Sequence, residues 1–120
     1  HIKIMKNKTD KIVKKIGDLI LNKKGADIKI LDVRELTSLT EYFIICTSDS
    51  APKTRAITEH IKTELKKGDI SPWHIEGLEK MEWVLMDYVN IVVNVFNPDM
   101  REYYDIERLW SDAKITKVCD

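Results

Sequence analysis

Glycine is scarce, and the four present, Gly17, Gly25, Gly68 and Gly77, are too far apart to build a backbone cradle for phosphate. No G-x-G-x-x-G, P-loop or G-x-S-x-G pattern occurs, which removes the dinucleotide-binding, nucleoside-triphosphatase and elbow-hydrolase readings. Cysteine is limited to Cys46 and Cys119, too few for a disulfide framework and in keeping with a reducing cytoplasm. The histidines, among them His60 and His74, form no Cys/His pair at zinc-ligand spacing, so no metal site is expected. No apolar run approaches the ~18 residues a membrane helix requires, and the N-terminal residues carry no secretory pattern, so no membrane is expected among the partners. An excess of one charge is missing too. Lys and Arg total 20, as do Asp and Glu, which argues against a partner held mainly by phosphate neutralisation and predicts little or no direct nucleic-acid binding. The lysines at 3, 6, 8, 11, 14 and 15 read as a solvated helix face and tail.

Paired carboxylates are lacking where a metal-dependent transferase would need them. Such a centre holds divalent ions with acids two residues apart on one strand face. Here the pairs are Asp27/Lys29, Asp32/Arg34, Glu76/Leu78 and Asp87/Val89. Ser48-Asp49-Ser50 after an apolar run reads as a cap and turn rather than a nucleophile. No catalytic residue is assigned.

What the chain has is a globular composition, 43% hydrophobic and 33% charged, with no repeat or linker. It therefore reads as a single domain over residues 1–120. Ile12, Ile16, Leu19 and Ile20 recur at helical spacing, predicting a helix from a Thr9 cap to Lys24, closed by Gly25. Strands are predicted over Asp27–Val33 and Glu41–Thr47. A second helix is capped by Ser50, carries Ile57, Ile61 and Leu65 on one face and ends at Gly68. A short strand over Trp73–Glu76 follows, then a hairpin of Trp83–Tyr88 and Ile91–Phe96 around Val89-Asn90. After the breaker Asn97-Pro98, a final helix is predicted over Tyr104–Trp110. The predicted fold class is α/β, a mixed five-stranded sheet with helices packed on it.

Five of the nine Phe, Trp and Tyr residues fall between Trp83 and Tyr104. Aromatics gathered where no reaction centre can be assembled point to a surface that grips another macromolecule, although aromatics dominate cores as well. Strand alternation puts Trp83, Leu85 and Asp87 on one face and Val84, Met86 and Tyr88 on the other. The pattern alone leaves open which of Trp83 and Tyr88 is core. The contact residues selected are Trp83, Leu85, Asp87, Tyr88, Arg101 and Tyr103.

Two long segments, LDVRELTSLTEYFIICTSDSAPKTRAI and HIEGLEKMEWVLMDYVNIVVNVFNPDMREYYDIERLW, resemble the ribosomal silencing factor family, also termed Iojap-like. The similarity runs over roughly residues 12–115, and its short elements (LDVR, EYF, RAI, W-V-L-x-D-Y, VF-x-P and R-x-YY-x-I-x-x-LW) come in the family's order. The resemblance implies a cytoplasmic, non-enzymatic protein that needs no cofactor and binds the large ribosomal subunit through ribosomal protein uL14. There it would block joining of the small subunit and repress translation. It further implies a nucleotidyltransferase-like topology and a possible homodimer. The alternative from another class is a metal-dependent nucleotidyl-transfer enzyme of the same fold, which the missing acid pair disfavours. Two departures stand out. Asp87-Tyr88-Val89-Asn90 replaces the family's D-Y-G-D turn, and Asn94 stands where histidine is common.

Overall fold

A computed structural model of the protein describes residues 2–119, with side chains from Lys8 onward. The side chains of Lys3 and Lys6, part of the basic run, lie outside the described residues. The chain forms α1 (Ile2–Asn22), β1 (Ala26–Asp32), β2 (Tyr42–Thr47), α2 (Ala51–Lys66), β3 (His74–Glu76), β4 (Trp83–Asp87), β5 (Ile91–Phe96), α3 (Pro98–Tyr104), α4 (Ile106–Leu109) and β6 (Lys114–Val118). The strands make one mixed sheet in the order β3-β4-β5-β2-β1-β6. Its central pair, β2 and β5, is parallel and every other pair is antiparallel.

Both long helices pack on the same face. Val13, Ile16 and Ile20 of α1 and Ile57, Ile61 and Leu65 of α2 close over Ile28, Ile30, Ile44, Val84, Met86, Val93 and Val95. The opposite face has a smaller cluster, Leu31, Val33, Ile45 and Phe96, with Phe43, Trp83, Met100, Ile106 and Trp110 leaning on it. The sheet is therefore sealed on one side and only partly covered, by α3 and α4, on the other.

Four sequence expectations need correction. The helix predicted from Thr9 begins at Ile2: three of the residues before Thr9 are lysines and one is methionine, all good helix formers, and no glycine or proline interrupts them. At its other end the left-handed residue is Lys24, φ 66°, and not Gly25. Gly25 is required for space: a Cβ there would lie 2.2 Å from Cγ2 of the buried Ile20. Asn97-Pro98 does not merely break the chain. Pro98 occupies the first turn of α3 and Asn97 caps it, its Oδ1 accepting from Met100 N at 2.8 Å, so α3 starts six residues earlier than the helix predicted at Tyr104. The five strands expected are six. Lys114–Val118 is exposed along most of its length and forms a strand because β1 would otherwise leave its backbone edge unpaired.

The Ser50 cap is present, its Oγ accepting from Lys53 N at 3.2 Å, with Pro52 in the first turn. The β4–β5 hairpin closes over the two predicted loop residues, Tyr88 N donating to Ile91 O at 2.8 Å. Val89 is held there at φ 73°, a left-handed conformation that a β-branched residue adopts only under strain.

Candidate protein-docking site

The site grows from strand alternation in β4. Val84 and Met86 point into the helical core, and Trp83, Leu85 and Asp87 come out on the other face, all half-buried. Register sets their neighbours: Trp83 lies opposite Phe96, Leu85 opposite Asn94 and Asp87 opposite Val92. On the far side of β4, Glu76 pairs with Leu85 and His74 with Asp87. The result is an apolar strip edged by polar groups.

Trp83 is the fixed point of this face. Its indole Nε1 donates to Asn94 Oδ1 at 3.0 Å, and Asn94 is only 1% exposed. One neighbouring ring is Phe96, nearly parallel at a centroid distance of 4.8 Å. The other is Tyr104 of α3, tilted by 45° at 4.7 Å. Such pairs add about 0.5–1.5 kcal/mol each beyond area burial, so Trp83 is held in one orientation before any partner arrives. Asn94 thus uses its amide oxygen as the acceptor that fixes the indole.

Asp87 turns back on its own hairpin, Oδ1 accepting from Val89 N at 2.7 Å. That bond steadies the strained turn and leaves the second carboxylate oxygen free of intrachain hydrogen bonds among the described residues. His74 Nε2 and Glu76 Oε1 meet at 2.7 Å beside it.

The remaining expected residues divide. Tyr103 is 79% exposed and meets Tyr104 edge-on at 5.0 Å, at the rim of the face. Tyr88 packs with the helical core instead. Its hydroxyl is buried with no hydrogen-bond partner among the described residues, and desolvation pushes its pKa up to about 12. Arg101 also faces inward. Its Nε donates to Glu107 Oε1 at 2.8 Å, and Nη1 to Asp27 O at 2.6 Å and Thr47 Oγ1 at 2.8 Å. Lys29 Nζ reaches the other oxygen of Glu107 at 2.9 Å. The Arg101 hydrogen bond holds the Glu107 carboxyl below the usual carboxylate range against a desolvation penalty, and Lys29 adds to the effect. Arg101 therefore bolts α3 and α4 to the ends of β1 and β2. The structure thus brings Trp83, Leu85 and Asp87 together, adds Tyr103 at the edge and turns Tyr88 and Arg101 inside.

Sequence reasoning missed a groove of about 700 Å³ beside Trp83, walled by the 77–82 turn and α3. Only the turn signal at Gly77 hinted at it. At Gly77, φ is 89° and a Cβ would lie 1.9 Å from Trp83 O, so glycine alone lets the turn close against the strand. Among the described residues no three His, Cys, Asp or Glu side chains converge as metal ligands, and no helix is long and apolar enough to cross a membrane.

A family profile described as "Ribosomal silencing factor during starvation" matches residues 6–120. The ribosomal silencing factor of Bacillus subtilis is 36% identical over 97 residues, covering 81% of this chain and 82% of the relative. That of Chromobacterium violaceum is 42% identical over 91 residues, 76% and 75% of the two chains. A crystal structure of a Chromobacterium violaceum protein superposes with a TM-score of 0.82 at 36% identity, covering 92% of each chain. With a matching profile over nearly its whole length and these relatives, the chain belongs to the ribosomal silencing factor family.

Proposed function

We propose that this protein binds the large ribosomal subunit in the cytoplasm through ribosomal protein uL14 and sterically blocks joining of the small subunit, repressing translation without performing chemistry. The open sheet face carries the reading: Trp83, locked in place and flanked by Leu85 and Asp87, is an aromatic anchor presented on a rigid strand with a polar border. Interfaces concentrate their binding energy in anchors of this type, ringed by groups that exclude water. Asp87 supplies an acidic group for a basic ribosomal protein, and Tyr103 extends the contact at the rim. Tyr88 and Arg101 act from behind, the first by supporting β4 from the helical side and the second by fixing α3.

Co-sedimentation with purified large subunits tests the binding, and light scattering during subunit joining tests the mechanism. Inhibition is expected to reach completion near one protein per large subunit, to reverse on dilution and to be weaker on preassembled ribosomes. A block at far lower ratios, or equal action on preassembled ribosomes, refutes steric exclusion.

A further inference from the structure

We infer that the groove between the 77–82 turn and α3 receives an arginine side chain from a basic segment of the docked partner. This deepens the docking reading above and rests on it. The groove adjoins the anchor, since Trp83 lines both, and its charge is lopsided. Glu76, Glu79 and Glu82 stand on it against a single Lys80. Several carboxylates elsewhere are matched within the chain, Asp32 with Arg34, Glu64 with Lys67 and Glu107 with Arg101, and on the groove Glu76 already meets His74. Among the described residues the side chains of Glu79 and Glu82 enter no ion pair and no hydrogen bond. Behind them stands the Trp83–Tyr104 aromatic corner, with Tyr104 46% exposed.

Unpaired carboxylates in front of an aromatic wall suit a flat cation. A guanidinium stacks on an aromatic face, is weakly hydrated and forks onto carboxylates; an ammonium does only part of this. A purely apolar occupant would strip water from the glutamates with nothing in return. A phosphate backbone would be repelled by them.

The groove is also built in advance. Met81 sits at φ 56° while 5% exposed, its N donating to Gly77 O at 3.0 Å, so the turn is pinned into the core at the cost of a left-handed residue. On the opposite wall Asn97 N donates to Glu82 O at 2.8 Å while its side chain caps α3. Both walls are thus tied to the same strand end, and little is left to order on binding.

The test uses the full chain and a minimal probe, the blocked tripeptide acetyl-Gly-Arg-Gly-amide, beside its citrulline and norleucine counterparts. NMR would follow the Trp83 indole N–H, identified by its loss in Trp83→Phe. The arginine peptide is expected to move this signal saturably at millimolar concentration, about tenfold more tightly than citrulline, and Glu79→Gln/Glu82→Gln to abolish the response. No movement with arginine, or equal binding of citrulline or norleucine, overturns the inference. A Trp83 shift that instead follows protein concentration also overturns it, assigning the groove to a second copy of this chain. In co-sedimentation, Glu79→Gln/Glu82→Gln should weaken binding to large subunits about fivefold or more, the Glu59→Gln/Glu64→Gln control on α2 leaving it unchanged. If the unaltered protein does not sediment with large subunits, the ribosomal reading fails while the peptide titration still judges the groove. If it sediments and both double variants bind as it does, only the groove inference fails.

Discussion

Replacing Trp83 by phenylalanine isolates the least visible part of the proposed docking face, the hydrogen bond beneath it. Phenylalanine keeps an aromatic ring against Phe96 and Tyr104 but removes the indole donor that reaches Asn94 Oδ1 at 3.0 Å. Asn94 is 1% exposed, so water cannot readily replace that donor. Its other bond, Nδ2 to Val92 O, is long at 3.5 Å and offers little compensation. A neutral hydrogen bond contributes about 1 kcal/mol net, and a stranded buried acceptor costs about 1–3 kcal/mol. Trp83→Phe is therefore expected to destabilise by about 2 kcal/mol, a fall in Tm of about 8 °C for a chain of this size. Urea unfolding with an unchanged m-value would measure it. The second arm adds Asn94→Val. Because the double variant strands no polar group, it should cost less than the sum of the two singles, with a coupling of about 1–2 kcal/mol. A single substitution costing under about 0.5 kcal/mol, or an additive cycle, refutes the claim that Asn94 positions the anchor. Trp83→Ala is a poor probe of docking, because it deletes a half-buried ring that also braces α3, so loss of binding and loss of stability arrive together.

Val89→Gly should stabilise by about 0.5–1 kcal/mol, relief of the φ 73° strain outweighing the added freedom of the unfolded chain; a lower urea midpoint would contradict this. Tyr88→Phe should leave stability unchanged or raise it by up to about 1 kcal/mol, because the hydroxyl is buried without a partner; a comparable loss would reveal an unseen bond. Glu107 has a folded pKa below its unfolded value, so its contribution is fully present above the unfolded carboxylate range near ~4.3 and is lost as pH falls through the lowered folded value. Glu107→Gln should accordingly lower Tm at pH 7 and flatten its decline below about pH 4.5; parallel profiles for the two proteins would rule that out.

Much of the architecture is readable from local pattern. Ile57, Ile61 and Leu65 declare the buried face of α2, and the bounds of the Ile91–Phe96 strand are those observed. Alternation in β4 correctly separates Trp83, Leu85 and Asp87 from Val84 and Met86. Several of the failures originate in partners distant along the chain. Lys114–Val118 carries three β-branched residues, Ile115, Thr116 and Val118, but its mostly exposed pattern hides a strand that only the pairing with β1 reveals. Arg101 looks like a surface cation in an exposed-looking run, but its partners Asp27 and Thr47 come from the first two strands. Asn97-Pro98 carries two opposite meanings, a stop for β5 and a start for α3, and context chose both. The groove is assembled from a turn and a helix whose relative placement no local pattern encodes.

The β1–β6 pairing has a consequence for how the protein comes into being. Ile28 meets Val118 and Asp32 meets Lys114, so the first strand made is completed by the last. A nascent chain emerges N-terminus first, and β1 and β2 can pair early as neighbours. The parallel bond between β2 and β5 must wait for the crossover through α2, β3 and β4. Contacts this distant make loop closure the slow step, which places refolding toward the millisecond-to-second end of the range for small domains. Until β6 arrives, the outer edge of β1 is an open template for other strands. The lysines at 114 and 117 on the strand that finally covers it leave a charged edge in its place. The completed molecule is therefore safer from edge-to-edge aggregation than any of its nascent forms.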